Sequence, residues 1–299
     1  MKNLSWRTVR YLGTFLSFSA LVWWITKQNW ESLWLSFAHL PLFILIAAWS
    51  LYWLGLVLNA SRWYVILRGM GIVTSRLRVL QLTLAGAFAS NFLPSTVGGD
   101  ALRISGLLGQ QISTARVVTS VLLDRLFNVA AMYSFLPLTW ATYGGSVYTL
   151  FSRSSHPAVL AWGMRLRIPH QWQANLKEAK EGLNTLRHTP HAVIVSLSLS
   201  WLSLIPPFTA TWLIARSLGI PIAWYEVAGT TVLTYTITLL PIAINGYGVR
   251  EVAVVTLYSL LGATGEQALT LAVVTRFLMA LATFTGVFWV GKAIPDASS

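Results

Sequence analysis

Apolar runs long enough to cross a membrane alternate with short polar connections along most of the 299-residue chain. A helix needs about 20 apolar residues to span a bilayer, and most of the runs meet that length. The weakest run, 138–164, is interrupted by glycines and a polar patch, and it is included because the topology below requires a crossing there. The predicted spans are 9–26, 42–67, 115–137, 138–164, 192–215 and 266–290.

Two further apolar segments are too short to cross and end in helix-breaking sequence. Residues 79–93 lead into Pro94, residues 224–240 lead into Pro241, and glycines follow each proline. Proline and paired glycines interrupt helices. Irregular backbone is tolerated at membrane depth only where it is buried in protein or lines a polar cavity. Each segment is therefore predicted to form a re-entrant helical hairpin.

The two broken segments carry the same series of residues. Each proline is followed five residues later by a glycine and nine residues later by an arginine. Leu-Leu-Gly and a mid-span arginine come next in both copies, so the series indicates an internal duplication. Paired broken segments in two halves of a membrane protein point to a transporter's binding site. The copies are Pro94, Gly99, Arg103, 107–109 and Arg125, and Pro241, Gly246, Arg250, 260–262 and Arg276.

The composition excludes a soluble protein. Only 10% of the residues are charged and 55% are hydrophobic, whereas a soluble domain has about 25% charged residues. We expect one all-α polytopic membrane domain, 1–299, with six to eight transmembrane helices and the two re-entrant hairpins. The net charge of +12 is interpreted as a topology signal and an attraction to anionic lipid, with no nucleic-acid partner. The chain has no cysteine, which excludes thiolate catalysis and cysteine-ligated metals.

The distribution of Lys and Arg predicts the orientation, because cytoplasmic loops are enriched in both. The loops at 1–10, 62–78 and 165–191 are basic, and the connections on the other side carry one basic residue each. We expect N-in and C-in topology in the bacterial inner membrane, with 165–191 as a cytoplasmic basic loop. The hairpins then enter from opposite sides, and 42–137 and 192–290 form an inverted repeat.

Charged residues and glycines near the broken segments are the candidate substrate-binding residues. Four deep arginines face three acids, which leaves one positive charge over and favours an anionic ligand such as a phosphate. Pairing within the protein is the alternative. The glycines form turns whose following helices aim positive N-termini at the ligand, or they permit close helix packing. The asparagines cap helices or contact substrate. The candidates are Asn91, Gly98, Gly99, Asp100, Arg103, Asp124, Arg125, Asn245, Gly246, Gly248, Arg250, Glu251 and Arg276.

Two residues outside this set have structural expectations. Arg62 lies near the end of its apolar run and is expected to anchor that helix at the membrane interface. Pro206 and Pro207 lie inside the span 192–215 and are expected to kink it.

An enzyme needs a nucleophile, an acid–base pair or a metal cluster, and none stands out. Asp100 and Asp124 could hold Mg²⁺ against a lipid diphosphate, but the nearby arginines disfavour a cation. No catalytic residue, metal site or cofactor is therefore expected. A membrane-embedded transferase acting on a lipid-linked substrate and a non-transporting scaffold of a lipid or glycan pathway are the alternatives to lipid transport.

The motifs resemble those of the lysylphosphatidylglycerol synthase transmembrane-region family of flippase-like membrane proteins. The resemblance covers residues 10–290 and is carried by the series from Asn91 to Arg103, by Leu123-Asp124-Arg125 and by the series from Pro241 to Glu251. It implies movement of an anionic or phosphate-bearing lipid: a phospholipid, an aminoacyl-phosphatidylglycerol, a polyprenyl-phosphate sugar or a hopanoid. Some relatives carry a soluble aminoacyl transferase domain. No such domain is expected here, so synthase activity is not carried over.

The predicted topology can be tested with single cysteines, because the natural chain has none. A cysteine at Ser217 should react with a membrane-impermeant maleimide added to intact cells, whereas a cysteine at Ser75 should react only after the membrane is opened. The reverse labelling pattern would contradict the orientation.

Overall fold

The computed structural model describes residues 40–91, 96–108, 113–153, 184, 186–239 and 248–293. The described residues lie in helices or in short connections between them, which confirms the all-α class. In chain order the helices are α1 (Leu42–Gly69), α2 (Arg76–Ser90), α3 (Thr96–Leu108), α4 (Thr114–Tyr133), α5 (Leu136–Arg153), α6 (Pro190–Ser217), α7 (Trp224–Leu239), α8 (Val249–Leu260), α9 (Gly265–Phe284) and α10 (Val287–Ala293).

Four helical stretches of the described chain are long and apolar enough to cross a membrane. They are Leu42–Gly69, Thr114–Gly144, Pro190–Ser217 and Gly265–Phe284. The protein is therefore an all-α polytopic membrane protein, as the sequence predicted. The expected first span, 9–26, lies outside the described residues.

Large apolar side chains cover the outside of these helices. Phe43, Trp140 and Phe288 have 69%, 66% and 73% of their surface exposed. Extensive exposed apolar surface is rare in soluble monomers, and here it forms a surface suited to lipid.

The boundary expected between residues 137 and 138 lies a few residues earlier, because α4 ends at Tyr133 and α5 begins at Leu136. Only a two-residue turn separates α4 from α5, and the Leu138 amide donates to the Phe135 carbonyl at 2.9 Å. The candidate span accordingly runs through from Thr114 to Gly144. The sequence predicts the end of one crossing and the start of another inside this stretch. Whether the chain crosses again before α6 stays a prediction, because residues 154–183 lie outside the described part.

The order and lengths of the helices repeat along the described chain. α1 and α6 have 28 residues each, α2 and α7 have 15 and 16, α3 and α8 have 13 and 12, and α4 and α9 have 20 each. A two-residue turn and a further helix, α5 or α10, follow in both sets. This agreement supports an internal duplication, whose bounds at 42–137 and 192–290 stay predictions.

α1 and α6 pack side by side in opposite directions. Tyr52, in the first half of α1, shares a 3.1 Å hydrogen bond with Thr211, near the end of α6. Gly69, at the end of α1, lies against Ala192, at the start of α6. The start of α1 therefore packs against the end of α6, and the end of α1 against the start of α6. Corresponding helices that are antiparallel are the geometry expected of an inverted repeat.

The two prolines of α6 lie in the middle of this contact. The helix continues through Pro206 and Pro207, and Pro207 cannot donate to the Ser203 carbonyl. A Cβ added at Gly55 of α1 would lie 3.3 Å from Pro207 Cδ and 3.4 Å from that carbonyl oxygen. Gly55 thus packs against the Ser203 carbonyl, which lacks its usual helical hydrogen bond. The expected kink of α6 stays a prediction.

α2 and α3 form an antiparallel helical hairpin. Gly106, near the end of α3, packs against Leu82 in the middle of α2, whereas Gly99, near the start of α3, lies against Gly86 further along α2. A Cβ at Gly86 would approach the Gly99 carbonyl oxygen within 2.7 Å. α7 and α8 are likewise in contact.

The hairpin helices are too short to cross a bilayer singly. At 1.5 Å per residue, α2 and α3 are about 22 and 20 Å long, and α7 and α8 are about 24 and 18 Å long, whereas the hydrocarbon core is about 30 Å thick. The connections at 92–95 and 240–247 lie outside the described residues, so the re-entrant tips stay a prediction.

Each hairpin is backed by a helix from the other set. Gly286, just before α10, lies against the Leu84 carbonyl of α2. Reciprocally, the Thr139 hydroxyl of α5 donates to the Gly229 carbonyl of α7 at 3.0 Å. The two sets are thus interlocked through equivalent contacts, and close approach at glycine is required in both.

Replacing Gly99 by alanine should destabilise the protein, because a Cβ there would overlap the Gly86 carbonyl and the Ser90 hydroxyl. Overpacking of this kind costs about 1–3 kcal/mol. The matched control is Gly291→Ala in α10, where no atom lies within 4 Å of an added Cβ. Thermal unfolding in detergent should show a lower midpoint for Gly99→Ala alone. Equal midpoints for the two variants would contradict the packing described.

Candidate functional site

Asp124 of α4 is the centre of a buried charge cluster that joins three helices. Its Oδ1 accepts from Arg62 Nε of α1 at 2.7 Å, and its Oδ2 accepts from Arg103 Nη2 of α3 at 2.8 Å. Arg62 also donates from Nη1 to Asn128 Oδ1 at 3.0 Å. Asp124 thus ties the first hairpin to both α1 and α4.

Asp100 extends this cluster along α3. Its Oδ1 lies 3.5 Å from Arg103 Nη1, and its Oδ2 pairs with Arg125 Nε. The Arg125 side chain is 42% exposed, far more than the other members. Because both oxygens of each aspartate face an arginine, the Asp100–Asp124 pair does not offer the free carboxylate oxygens that a magnesium ion needs. No group of three or more His, Cys, Asp or Glu suited to a metal was found among the described residues.

Arg103 is held from a third side by an aromatic ring. Its guanidinium lies 4.0 Å from the ring centre of Trp63, a cation–π contact. The Trp63 indole is fully buried and donates to the Ser120 hydroxyl at 3.1 Å. The position of the Arg103 guanidinium is therefore fixed by α1, α3 and α4 together.

The interpretation of Arg62 as an interfacial anchor is wrong. Arg62 is 3% exposed and paired with Asp124. α1 continues for seven residues beyond Arg62, to Gly69, so this arginine lies about two turns inside the helix. The pair Arg62-Trp63 is therefore part of the charge cluster.

These residues border a cavity of about 410 Å³, the ionic cavity. Three arginines and two aspartates give its walls a net charge of +1. Gly99, Asn128 and Tyr235 of α7 also line it. The charged lining residues are Arg62, Asp100, Arg103, Asp124 and Arg125.

A second charge cluster surrounds Glu251 at the start of α8. Its Oε2 accepts from the Gly248 amide at 2.8 Å, which closes the N-terminus of the helix. Gly248 has a φ of 80°, a conformation that favours glycine. Oε1 lies 3.9 Å from both Arg250 Nη1 and Arg276 Nε, beyond hydrogen-bond distance. Two arginines and one glutamate again leave a net charge of +1.

Arg250 points into a different space, the hydroxyl cavity, of about 240 Å³. It is the one charged residue among those that line this cavity. The rest of the lining consists of six threonines, three tyrosines and seven apolar residues. Tyr235 borders both cavities, so the two lie on either side of one side chain.

The threonines of α7 were missed by the sequence analysis. Residues 230–238 read Thr-Thr-Val-Leu-Thr-Tyr-Thr-Ile-Thr, and threonine is neutral enough to pass as part of an apolar segment. The signal that could have revealed them is the density of hydroxyl groups in a segment next to a broken motif.

The candidate residues thus divide into two sites and a remainder. Asp100, Arg103, Asp124, Arg125 and Gly99 meet at the ionic cavity. Arg250 lines the hydroxyl cavity, while Glu251, Gly248 and Arg276 lie around Arg250. The structure therefore divides these candidates between two cavities.

Four candidates lie away from both cavities or outside the described part. The Asn91 amide donates to the Thr283 hydroxyl of α9 at 2.8 Å, which links the first hairpin to the last span. Gly98 lies one residue before the cavity wall. Asn245 and Gly246 are outside the described residues.

Comparison with known protein families supplies the context for these clusters. The model of the family described as the lysylphosphatidylglycerol synthase TM region matches residues 11–286. The chain belongs to this family. The resemblance stated from the motifs is thereby confirmed, and the family description is consistent with a membrane protein connected with lipids. Comparisons with curated proteins and with solved structures found no match.

Asp124→Asn should strongly destabilise this member of the family, because it leaves Arg62 and Arg103 facing a neutral amide in a buried site. Removing one partner of a buried pair costs about 3–5 kcal/mol. Adding Arg62→Met should recover part of the loss, since one stranded charge is removed. Unfolding free energies of the wild type, both single variants and the double variant form the cycle that measures this coupling. Strictly additive losses would contradict the pairing.

Proposed function

We propose that this protein moves a lipid with an anionic, phosphate-bearing headgroup across the bacterial inner membrane. The headgroup would pass through the polar space between the two sets of helices while the tails remain in the bilayer. The N-in and C-in orientation and the inverted repeat belong to this proposal.

The excess of positive charge in the two clusters carries the proposal. Among the described residues, five arginines face three carboxylates, a net charge of +2. Placing an arginine inside a membrane costs about 2.5–3.5 kcal/mol on insertion scales. Each cluster has an excess of one, so that one bound anion at each would neutralise it.

Donor atoms are available at both places. Arg103 Nε and Arg250 Nη1 are buried without a hydrogen-bond acceptor among the described residues. A planar guanidinium donates two parallel hydrogen bonds to a phosphate. Both atoms are enclosed by protein, so a rotation of each side chain would direct them at a headgroup in the cavities that these arginines line.

The arrangement of the two cavities supports movement of the headgroup. A charged headgroup cannot enter hydrocarbon alone, because the loss of hydration costs several kcal/mol or more. The ionic cavity lies at the first hairpin and the hydroxyl cavity at the second, with Tyr235 between them. If the hairpins enter from opposite sides, rocking of one set of helices against the other would open the cavities alternately.

Replacing Arg250 by lysine should preserve the positive charge and the fold, while lipid movement should fall at least tenfold. A point charge cannot replace the two-pronged donor. Arg103→Lys should behave similarly. The control is Arg216→Lys at the exposed end of α6, which should leave the rate unchanged.

The measurement is transbilayer movement of a fluorescent phosphatidylglycerol in liposomes that contain the purified protein. Full activity in an Arg103→Lys, Arg250→Lys double variant would contradict the phosphate role. A chemically new lipid product would indicate the transferase, and neither movement nor product would indicate the scaffold.

A further inference from the structure

The hydroxyl cavity differs in chemistry from the ionic cavity, and we infer that it selects headgroups that carry several hydroxyl groups next to the phosphate. This inference rests on the proposed transport of a phosphate-bearing lipid. It begins from the six threonines and three tyrosines that line the cavity beside a single charged residue, Arg250.

The threonine hydroxyls are mostly committed as donors. Five of the six donate to a backbone carbonyl of their own helix, at distances from 2.6 to 3.0 Å. A hydroxyl has one proton and two acceptor lone pairs, so these oxygens can only accept further hydrogen bonds. Thr211 and Thr230 already accept one each, from the hydroxyls of Tyr52 and Tyr143. The five are Thr211, Thr230, Thr231, Thr238 and Thr275.

Two groups in the same wall have unused capacity. Thr234 is 7% exposed, and its hydroxyl has no hydrogen-bond partner among the described residues. Arg250 Nη1 is also buried and has no hydrogen-bond partner among the described residues. Buried polar groups are normally satisfied, and both residues line the cavity, so a small side-chain rotation would bring either atom to a polar ligand there.

The wall therefore requires a ligand that donates hydrogen bonds to the threonines and accepts them from Arg250. Ammonium and hydroxyl groups are the donors that lipid headgroups offer. Arg250 disfavours an ammonium, because like charges repel strongly where water is excluded. Glu251 offsets only part of the positive charge of Arg250, because its Oε1 lies equally close, at 3.9 Å, to Arg250 Nη1 and to Arg276 Nε. A neutral polyol or sugar attached to a phosphate meets both requirements.

The first hairpin shows that the fold does not need these hydroxyls. When α2 and α7 are aligned from their first residues, 82–90 correspond to 230–238. The first stretch reads Leu-Thr-Leu-Ala-Gly-Ala-Phe-Ala-Ser. The second reads Thr-Thr-Val-Leu-Thr-Tyr-Thr-Ile-Thr. α2 forms a hairpin helix of nearly the same length with two hydroxyl groups in this stretch instead of six. The additional hydroxyl groups are therefore attributed to ligand binding in the hydroxyl cavity and not to the packing of the hairpin.

The test measures lipid binding to the purified protein by native mass spectrometry with three probes that share the same acyl chains. Phosphatidylinositol carries a phosphate and a polyol, phosphatidate carries the phosphate alone, and phosphatidylethanolamine carries an ammonium. The wild type should prefer phosphatidylinositol to the other two by roughly tenfold or more, since several hydrogen bonds of ordinary strength add up.

The variant Thr231→Val with Thr275→Val removes two acceptors from the wall without changing side-chain shape. Preference for phosphatidylinositol over phosphatidate should fall by about fivefold or more in this double variant, and phosphatidate binding should stay as it was. The control is Thr236→Val, which removes a threonine of α7 that is exposed and bonded to the Val232 carbonyl but lines neither cavity. It should retain the wild-type preference.

The outcomes separate this inference from the proposed function. Binding and movement of phosphatidate without a preference for phosphatidylinositol would overturn the inference and leave lipid transport standing. A preference for phosphatidylethanolamine, or an unchanged preference in the double valine variant, would also overturn it. Absence of both binding and movement of all three lipids in the wild type would contradict the proposed function and the inference together.

Discussion

The need to pair every charge that enters the membrane constrains this protein more than any other interaction. Asp124 satisfies it for two arginines at once, and thereby fixes α1, α3 and α4 relative to one another. Trp63 completes the enclosure of Arg103. The first hairpin, which is too short to be anchored by crossing the bilayer, is held in place largely by this cluster and by the glycine contacts between α2 and α3. What the pairing leaves unbalanced, one positive charge at each cluster, is the basis of the proposed function.

The two sets of helices share their architecture and differ in their chemistry. Equivalent helices have nearly equal lengths, α1 and α6 are antiparallel, and α5 and α10 back each other's hairpins. The first set concentrates ion pairs around Asp124, whereas the second has Glu251 at longer distances from its arginines and a wall of threonines. The packing is thus equivalent in the two sets while the two cavities differ, as expected if they contact different parts of one headgroup.

The sequence predicts the fold class and most of the ionic cluster because charges inside apolar runs are few, costly and therefore conspicuous. Asp100, Arg103, Asp124 and Arg125 were found in this way. Arg62 was misplaced, because its partner lies 62 residues away and hydropathy ended the helix too early. The division between α4 and α5 was expected at 137 and 138, a few residues beyond the turn at 134–135. The hydroxyl cavity was missed because threonine is neither apolar nor charged, and its arrangement around Arg250 depends on the tertiary packing of α1, α6, α7 and α9.

The distance between a lipid phosphorus and the arginine side chains tests the central claim most directly. Solid-state nuclear magnetic resonance with ¹⁵N-labelled arginine in phosphatidylglycerol bilayers measures it through ³¹P–¹⁵N dipolar coupling. A bound phosphate should give a coupling that corresponds to about 4 Å, and that coupling should disappear in the Arg103→Lys, Arg250→Lys double variant. A coupling that is unchanged in this variant would come from surface arginines alone, and it would contradict phosphate binding in the two cavities.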